Sequence, residues 1–171
     1  MLAENLYYSG RNDFVDDEGR EQISLFSGLD EKQLDKLYAL MTRLNVDHGD
    51  QIFAQGQLPC NIYIVHYGLV NLQVDCGEDS TSVINYASGD CFGETAVLGA
   101  QPQMGRAISV GNTQLLVLSQ SVLMALLEYD APLFAVLMIN VTREISRQMH
   151  GMVNAKRDDS ECFFGKSNYV L

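Results

Sequence analysis

Two charged residues stand apart in "SGDCFGETAVLGAQPQMGRAISV", residues 88–110: Glu94 follows Gly93 directly, and Arg106 comes twelve positions later, with small, apolar and neutral residues between them. Glu94 opens a short helix-like segment and Arg106 begins a strand-like "RAISV". A glycine followed by a helix start presents unpaired backbone N–H groups at Glu94, Thr95 and Ala96, whose partners are small enough to let an anion approach. A carboxylate at the same place repels a phosphate unless it faces a donor, and a sugar hydroxyl is a natural one. Arg106 supplies the planar fork that two phosphate oxygens require. The set describes a compact ligand with one phosphate and one ribose edge. On periodicity alone, a structural ion pair between Glu94 and Arg106 accounts for the two charges slightly better than a ligand clamp does.

The bulk properties bound what surrounds this stretch. The chain has 171 residues, 47% hydrophobic and 19% charged, which suits one globular domain with a short appendage. Its 22 acidic and 11 basic residues leave a net charge of −11, a field that repels a nucleic-acid backbone. Lys156 and Arg157 are followed at once by Asp158 and Asp159. The N-terminus lacks the basic start and apolar core of a signal peptide, and no apolar run reaches the length of a membrane span. Cys60, Cys76, Cys91 and Cys162 are scattered without a C-x-x-C pair, and are expected to be free thiols in a cytoplasmic protein. Neither a metal nor a cofactor is expected. His48, His66 and His150 are isolated, which argues against a metal-binding jelly-roll enzyme, and no nucleophile–base arrangement is evident.

The elements that must position the stretch follow from the chain's periodicities. Residues 1–24 are polar and acidic and read as an entry arm. "LFSGLDEKQLDKLYALM" predicts a helix capped by Asp30, with Gln33 completing a capping box and Leu34, Leu37 and Leu40 forming its buried stripe. "QIFAQ", "NIYIVHY", "LVNLQVD" and "SVINYA" are short β-branched and aromatic runs punctuated by glycine turns, the pattern of an antiparallel barrel or jelly roll. "QSVLMALLEYD" predicts a helix, and another starts near Ala131-Pro132, proline being tolerated in a first turn. Along it Met138, Thr142, Ile145, Met149 and Met152 recur at heptad spacing. A homodimer seam through residues 132–152 and packing on the protein's own barrel explain that spacing equally well.

"FGETAVLG…GRAISV" resembles the phosphate-binding cassette of the cyclic nucleotide-binding domain family. That family includes catabolite activator-type bacterial regulators, regulatory subunits of cAMP-dependent kinase and cyclic nucleotide-gated channels. Upstream, "DHGDQIFAQGQLPCNIYIVHYGLV" resembles the family's succession of Gly-Asp turn, strand, Gly turn and hydrophobic strand, with His48 where a proline is common. The resemblance runs from about Leu25 to His150. It implies a mainly β fold: an eight-stranded antiparallel jelly roll with an N-terminal helix, a short cassette helix and C-terminal helices.

The resemblance also implies roles. Gly93 and the helix start with Thr95 and Ala96 receive the cyclic phosphate, and Glu94 takes the ribose 2′-hydroxyl. Arg106 pairs with a phosphate oxygen, assisted by the backbone N–H of Ala107. The absence of a hydroxyl at Ala107 tilts the expected ligand toward cAMP over cGMP. Gln148 and Met149 lie on the helix that closes over the base. The loop "GAQPQMG" is two or three residues longer than in most members, and "RAISV" is expected to keep Arg106 in register. The expected organisation is an arm (1–24), a nucleotide-binding barrel (25–130), a lid and dimerisation helix (131–153) and a tail (154–171). The expected function is a non-catalytic cAMP sensor signalling through its C-terminal helices. The alternatives are a degenerate dimerisation or docking unit, or the sensor part of a longer transcription regulator. The roughly twenty residues after His150 are too few for a helix-turn-helix module, so no nucleic acid is expected to bind this chain alone.

Overall fold

Continuous apolar runs and alternating ones mark two different sheets. In the computed structural model, which describes residues 23–76 and 79–164, a first sheet has the strand order β1 (Thr42–Val46), β8 (Thr113–Ser119), β3 (Asn61–Tyr67), β6 (Cys91–Phe92). A second has the order β2 (Gln51–Phe53), β7 (Arg106–Ser109), β4 (Leu69–Cys76), β5 (Asp79–Ala87). Every pairing is antiparallel. Most of the entry arm, Gly77 and the last residues of the tail lie outside the described residues.

Strands β8, β3 and β6 of the first sheet are covered on both faces, while β1 at its edge is largely exposed. Tyr63, Val65 and Leu115 point into the space between the sheets, while Ile62, Ile64, Leu116 and Leu118 pack against the helices. That is why "NIYIVHY" and "TQLLVLS" read as unbroken apolar runs. Each of the four helix-facing side chains is at most 1% exposed, and burial of this kind stabilises by about 2 kcal/mol per side chain. The second sheet alternates, because one face meets solvent: Val70 and Leu72 of β4 point inward, Asn71 and Gln73 outward.

The helices hold the first sheet from outside. A 3₁₀ turn (Ser24–Phe26) leads into α1 (Glu31–Leu40), where both halves of the Asp30–Gln33 capping box are present. Leu37 is fully buried and Leu34 and Leu40 flank it, as their spacing requires. The cassette helix α2 (Glu94–Gly99) connects β6 to the loop before β7. Beyond β8, Ser119 caps α3 (Gln120–Tyr129), and Asp130 caps α4 (Ala131–Phe164) through the N–H of Leu133. Asp130 also accepts from Lys36 Nζ at 2.6 Å, tying α4 to α1. The jelly roll with flanking helices is the fold the resemblance implied. The last helix continues past residue 153 to Phe164, because "NAKRDD" contains no proline and no glycine to stop it.

The heptad positions on α4 divide between two environments. Its buried stripe is Leu133, Leu137, Asn140, Val141 and Glu144. Met138 and Ile145 flank that stripe and pack on the protein's own core, while Thr142, Met149 and Met152 are exposed.

Candidate ligand-binding site

The site begins where β6 hands the chain to α2. Phe92 pairs with Tyr63 on β3, and the chain then turns at Gly93 with φ 84°. A Cβ there would stand 3.0 Å from the Asn61 carbonyl and 3.3 Å from the Tyr63 ring, so both the backbone conformation and the space select glycine. Glu94, first in the helix, is 1% exposed. Its Oε2 has no hydrogen-bond partner among the described residues. Burial pushes its carboxyl up from 4.5 to about 7, opposed by its own backbone N–H and reinforced by the carboxylate of Glu144.

A cavity of about 310 Å³ opens beside this turn, between the second sheet and α4. Phe53, Tyr86 and Phe92 line its floor; Phe92 stacks on Tyr86 at 5.1 Å, lies 6.0 Å from Phe53, and is backed by Tyr63 at 5.2 Å. Leu72, Val74 and Ile84 form one wall, and Gln103, Met104 and Gly105 of the long cassette loop another. Ile145, Gln148, Met149 and Met152 of α4 lie over it. Gln148 fastens the helix there, donating to the Cys91 carbonyl at 3.1 Å and to Glu144 Oε1 at 3.4 Å. Glu144, 3% exposed, also accepts from Ser24 Oγ at 2.8 Å and from Arg147.

Of the residues singled out in the sequence, Gly93, Thr95, Gln148 and Met149 line this cavity. Glu94 and Ala96 are buried beside it in α2. Arg106 and Ala107 are not brought to it. Ala107, 0% exposed, belongs to the core between the sheets. Arg106 pairs across the ladder with Gln73 on β4 and therefore shares Gln73's outward face. Its Nε and Nη2 donate to Gln73 Oε1 at 3.2 and 2.9 Å, and Asp75 Oδ1 lies 3.6 Å from Nε. "RAISV" does keep strand register, but with Ala107 inward the two-residue period sends Arg106 to the other side. Gly105 makes the approach possible, since a Cβ at that position would collide with the Gln73 carbonyl.

Gln103 and Glu144 are among the residues of this region that escaped the sequence reading. Gln103 lies in the extra length of "GAQPQMG", where a neutral polar residue carries no signal of its own; it is 6% exposed and faces the cavity. Glu144 was legible in principle, as an acid on the buried stripe of α4. The described residues contain no group of three or more His, Cys, Asp or Glu able to hold a metal ion, and no helix among them is long and apolar enough to cross a membrane. Cys60 is an exposed free thiol and Cys91 a buried one.

The profile of the cyclic nucleotide-binding domain matches residues 43–130. The cyclic AMP receptor protein of Thermus thermophilus is 30% identical over 104 residues, covering 60% of this chain and 48% of its own. The chain thus spans about half the length of that relative. The crystal structure of the Thermus thermophilus catabolite activator protein superposes with a TM-score of 0.67 at 27% identity, over 79% of this chain and 62% of the other. A cyclic nucleotide-binding domain from Methylobacillus flagellatus shares the fold with a TM-score of 0.75 at 18% identity, over 89% and 93% of the two chains. With the barrel, the glycine turn into a cassette helix and the helix-covered cavity all in place, this chain belongs to the cyclic nucleotide-binding domain family.

Proposed function

We propose that the protein is a regulatory sensor that binds a cyclic nucleotide, cAMP in preference to cGMP, without turning it over, and signals through its C-terminal helices. The observation that carries this reading is the cavity itself: cassette residues Gly93 and Thr95 and lid residues Gln148 and Met149 face one another across it. A cavity walled by apolar and aromatic side chains suits a purine. The hydrogen bonds from Gln148 to Cys91 and Glu144 couple that space to α4, so a ligand under the helix changes what the helix packs against. The same helix is proposed as the seam of a homodimer, through its exposed positions.

Isothermal titration with cAMP, cGMP and a cyclic dinucleotide tests the reading. The expected result is a larger affinity for cAMP than for cGMP, with the nucleotide recovered unchanged. Absence of heat with all three overturns it. The engagement of Arg106 by Gln73 and Asp75 away from the cavity favours a second reading, a docking or dimerisation unit that binds no nucleotide. In either case the chain's span of about half its curated relative fits the sensor part of a longer transcription regulator.

A further inference from the structure

We infer that Gln103, and not Arg106, is the side chain that meets the polar, phosphate-bearing edge of a ligand in this cavity. The inference takes its ligand from the nucleotide-sensor reading but rests for the residue on local geometry alone.

Gln103 is more than nine-tenths buried and lines the cavity. It is a polar side chain in a cavity walled largely by apolar and aromatic groups, among them Leu72, Val74, Ile84 and Phe92. It stands at the cassette turn: a Cβ placed on Gly93 would lie 3.8 Å from Gln103 Nε2. Its backbone is fixed by a reciprocal pair of bonds to the turn after β2. Gly56 N–H donates to the Gln103 carbonyl at 2.8 Å, and Gln103 N–H donates to the Gln57 carbonyl at 2.9 Å. Gln57 in turn closes its own turn by accepting from Ala54 N–H at 3.0 Å. The side chain is therefore aimed from a rigid position. Arg106, by contrast, would have to leave Gln73 and Asp75 and cross the sheet.

The chemistry follows from the amide. It can donate to a phosphate oxygen or accept from a hydroxyl, but it carries no charge to set against an anion. The cavity should therefore hold a cyclic nucleotide weakly and gain little from the phosphate itself, so that adenosine competes with cAMP to within about tenfold.

Titration of cAMP and adenosine into wild type and three variants decides the point, each variant first checked for an unchanged thermal midpoint. Gln103→Ala should weaken cAMP about tenfold, the loss of one hydrogen bond from a neutral amide to an ionised oxygen. Arg106→Ala should leave it within about twofold. Gln103→Arg should tighten cAMP at least about tenfold, with no comparable gain for adenosine, because it places a charged fork where the amide stood. If Arg106→Ala abolishes binding while both Gln103 variants behave as wild type, the inference is overturned. If wild type binds no nucleotide, the sensor reading fails by itself, and Gln103→Arg still tests the residue. Binding by that variant supports its position; a folded variant that stays silent overturns it.

Discussion

Asn140 on α4 donates to the Ser27 carbonyl at 2.7 Å, across 113 residues of sequence. The same amide nitrogen reaches the Leu25 carbonyl at 2.9 Å, and its oxygen accepts from Arg143 at 3.1 Å. One 2%-exposed side chain thus clamps the 3₁₀ turn onto the helix that covers the cavity. Asn140→Ala would strand the buried Leu25 carbonyl, and a lost partner of this kind costs about 2 kcal/mol. The expected thermal shift is roughly 4–8 °C downward. Hydrogen exchange at Phe26 N–H, which is bonded to the Ile23 carbonyl, should accelerate before exchange in β3 does.

Glu94 should make the protein less stable as pH rises. Its carboxyl titrates near 7 in the folded state against 4.5 when free, so the native form holds the extra proton between those values. Stability is then greatest below about 4.5 and falls through about 7, by on the order of 3 kcal/mol. Glu94→Gln keeps the shape and removes the titration. Its melting temperature should be nearly flat from pH 5 to 8 and exceed that of wild type at pH 8. Asp90, also raised by burial, would leave a small residual slope. Identical slopes in the two proteins would show that the Glu94 carboxyl is solvated.

The fold was largely legible in the sequence because its signals are local. Asp30 and Gln33 sit three apart and cap one helix; Gly93 and Glu94 mark a turn between two short elements. Whether Arg106 faces in or out is a different kind of question. It depends on which neighbour in "GRAISV" takes the inward position, and a two-residue period read one step off sends every side chain to the opposite face. Ala107 fits the crowded core between the sheets and Arg106 does not. The place of Gln103 was equally hidden, being set by hydrogen bonds to Gly56 and Gln57 on a distant turn.

The cassette helix carries a conformational cost at each end that substitution can expose. Ala100 ends α2 at φ 49° and ψ 41°, left-handed values that an alanine side chain disfavours by about 1 kcal/mol. Ala100→Gly should stabilise by roughly 0.5–1 kcal/mol in denaturant unfolding. Gly93→Ala should do the reverse, costing about 1–3 kcal/mol, since its φ is 84° and the Asn61 carbonyl waits 3.0 Å from the new Cβ. Equal stabilities for Ala100→Gly and wild type would mean that the helix end relaxes without strain.

The two faces of α4 give opposite expectations for the same substitution. Ile145 is half-buried, packs against the helix-covered core and lines the cavity beside Glu144. An aspartate there removes apolar contacts and sets a second carboxylate next to a buried one, at a cost of about 2–4 kcal/mol. Ile139 is 51% exposed and lies off the buried stripe. Ile139→Asp should change stability by no more than about 0.5 kcal/mol. If α4 joins two copies through its outer face, Ile139→Asp should convert a sedimenting dimer to a monomer with its fold intact. Ile145→Asp should instead lower the thermal midpoint whatever the protein concentration. An Ile145→Asp protein that melts like wild type and merely sediments lighter would place Ile145 at an interface between copies, and the apolar wall of the cavity would then have to be drawn without it.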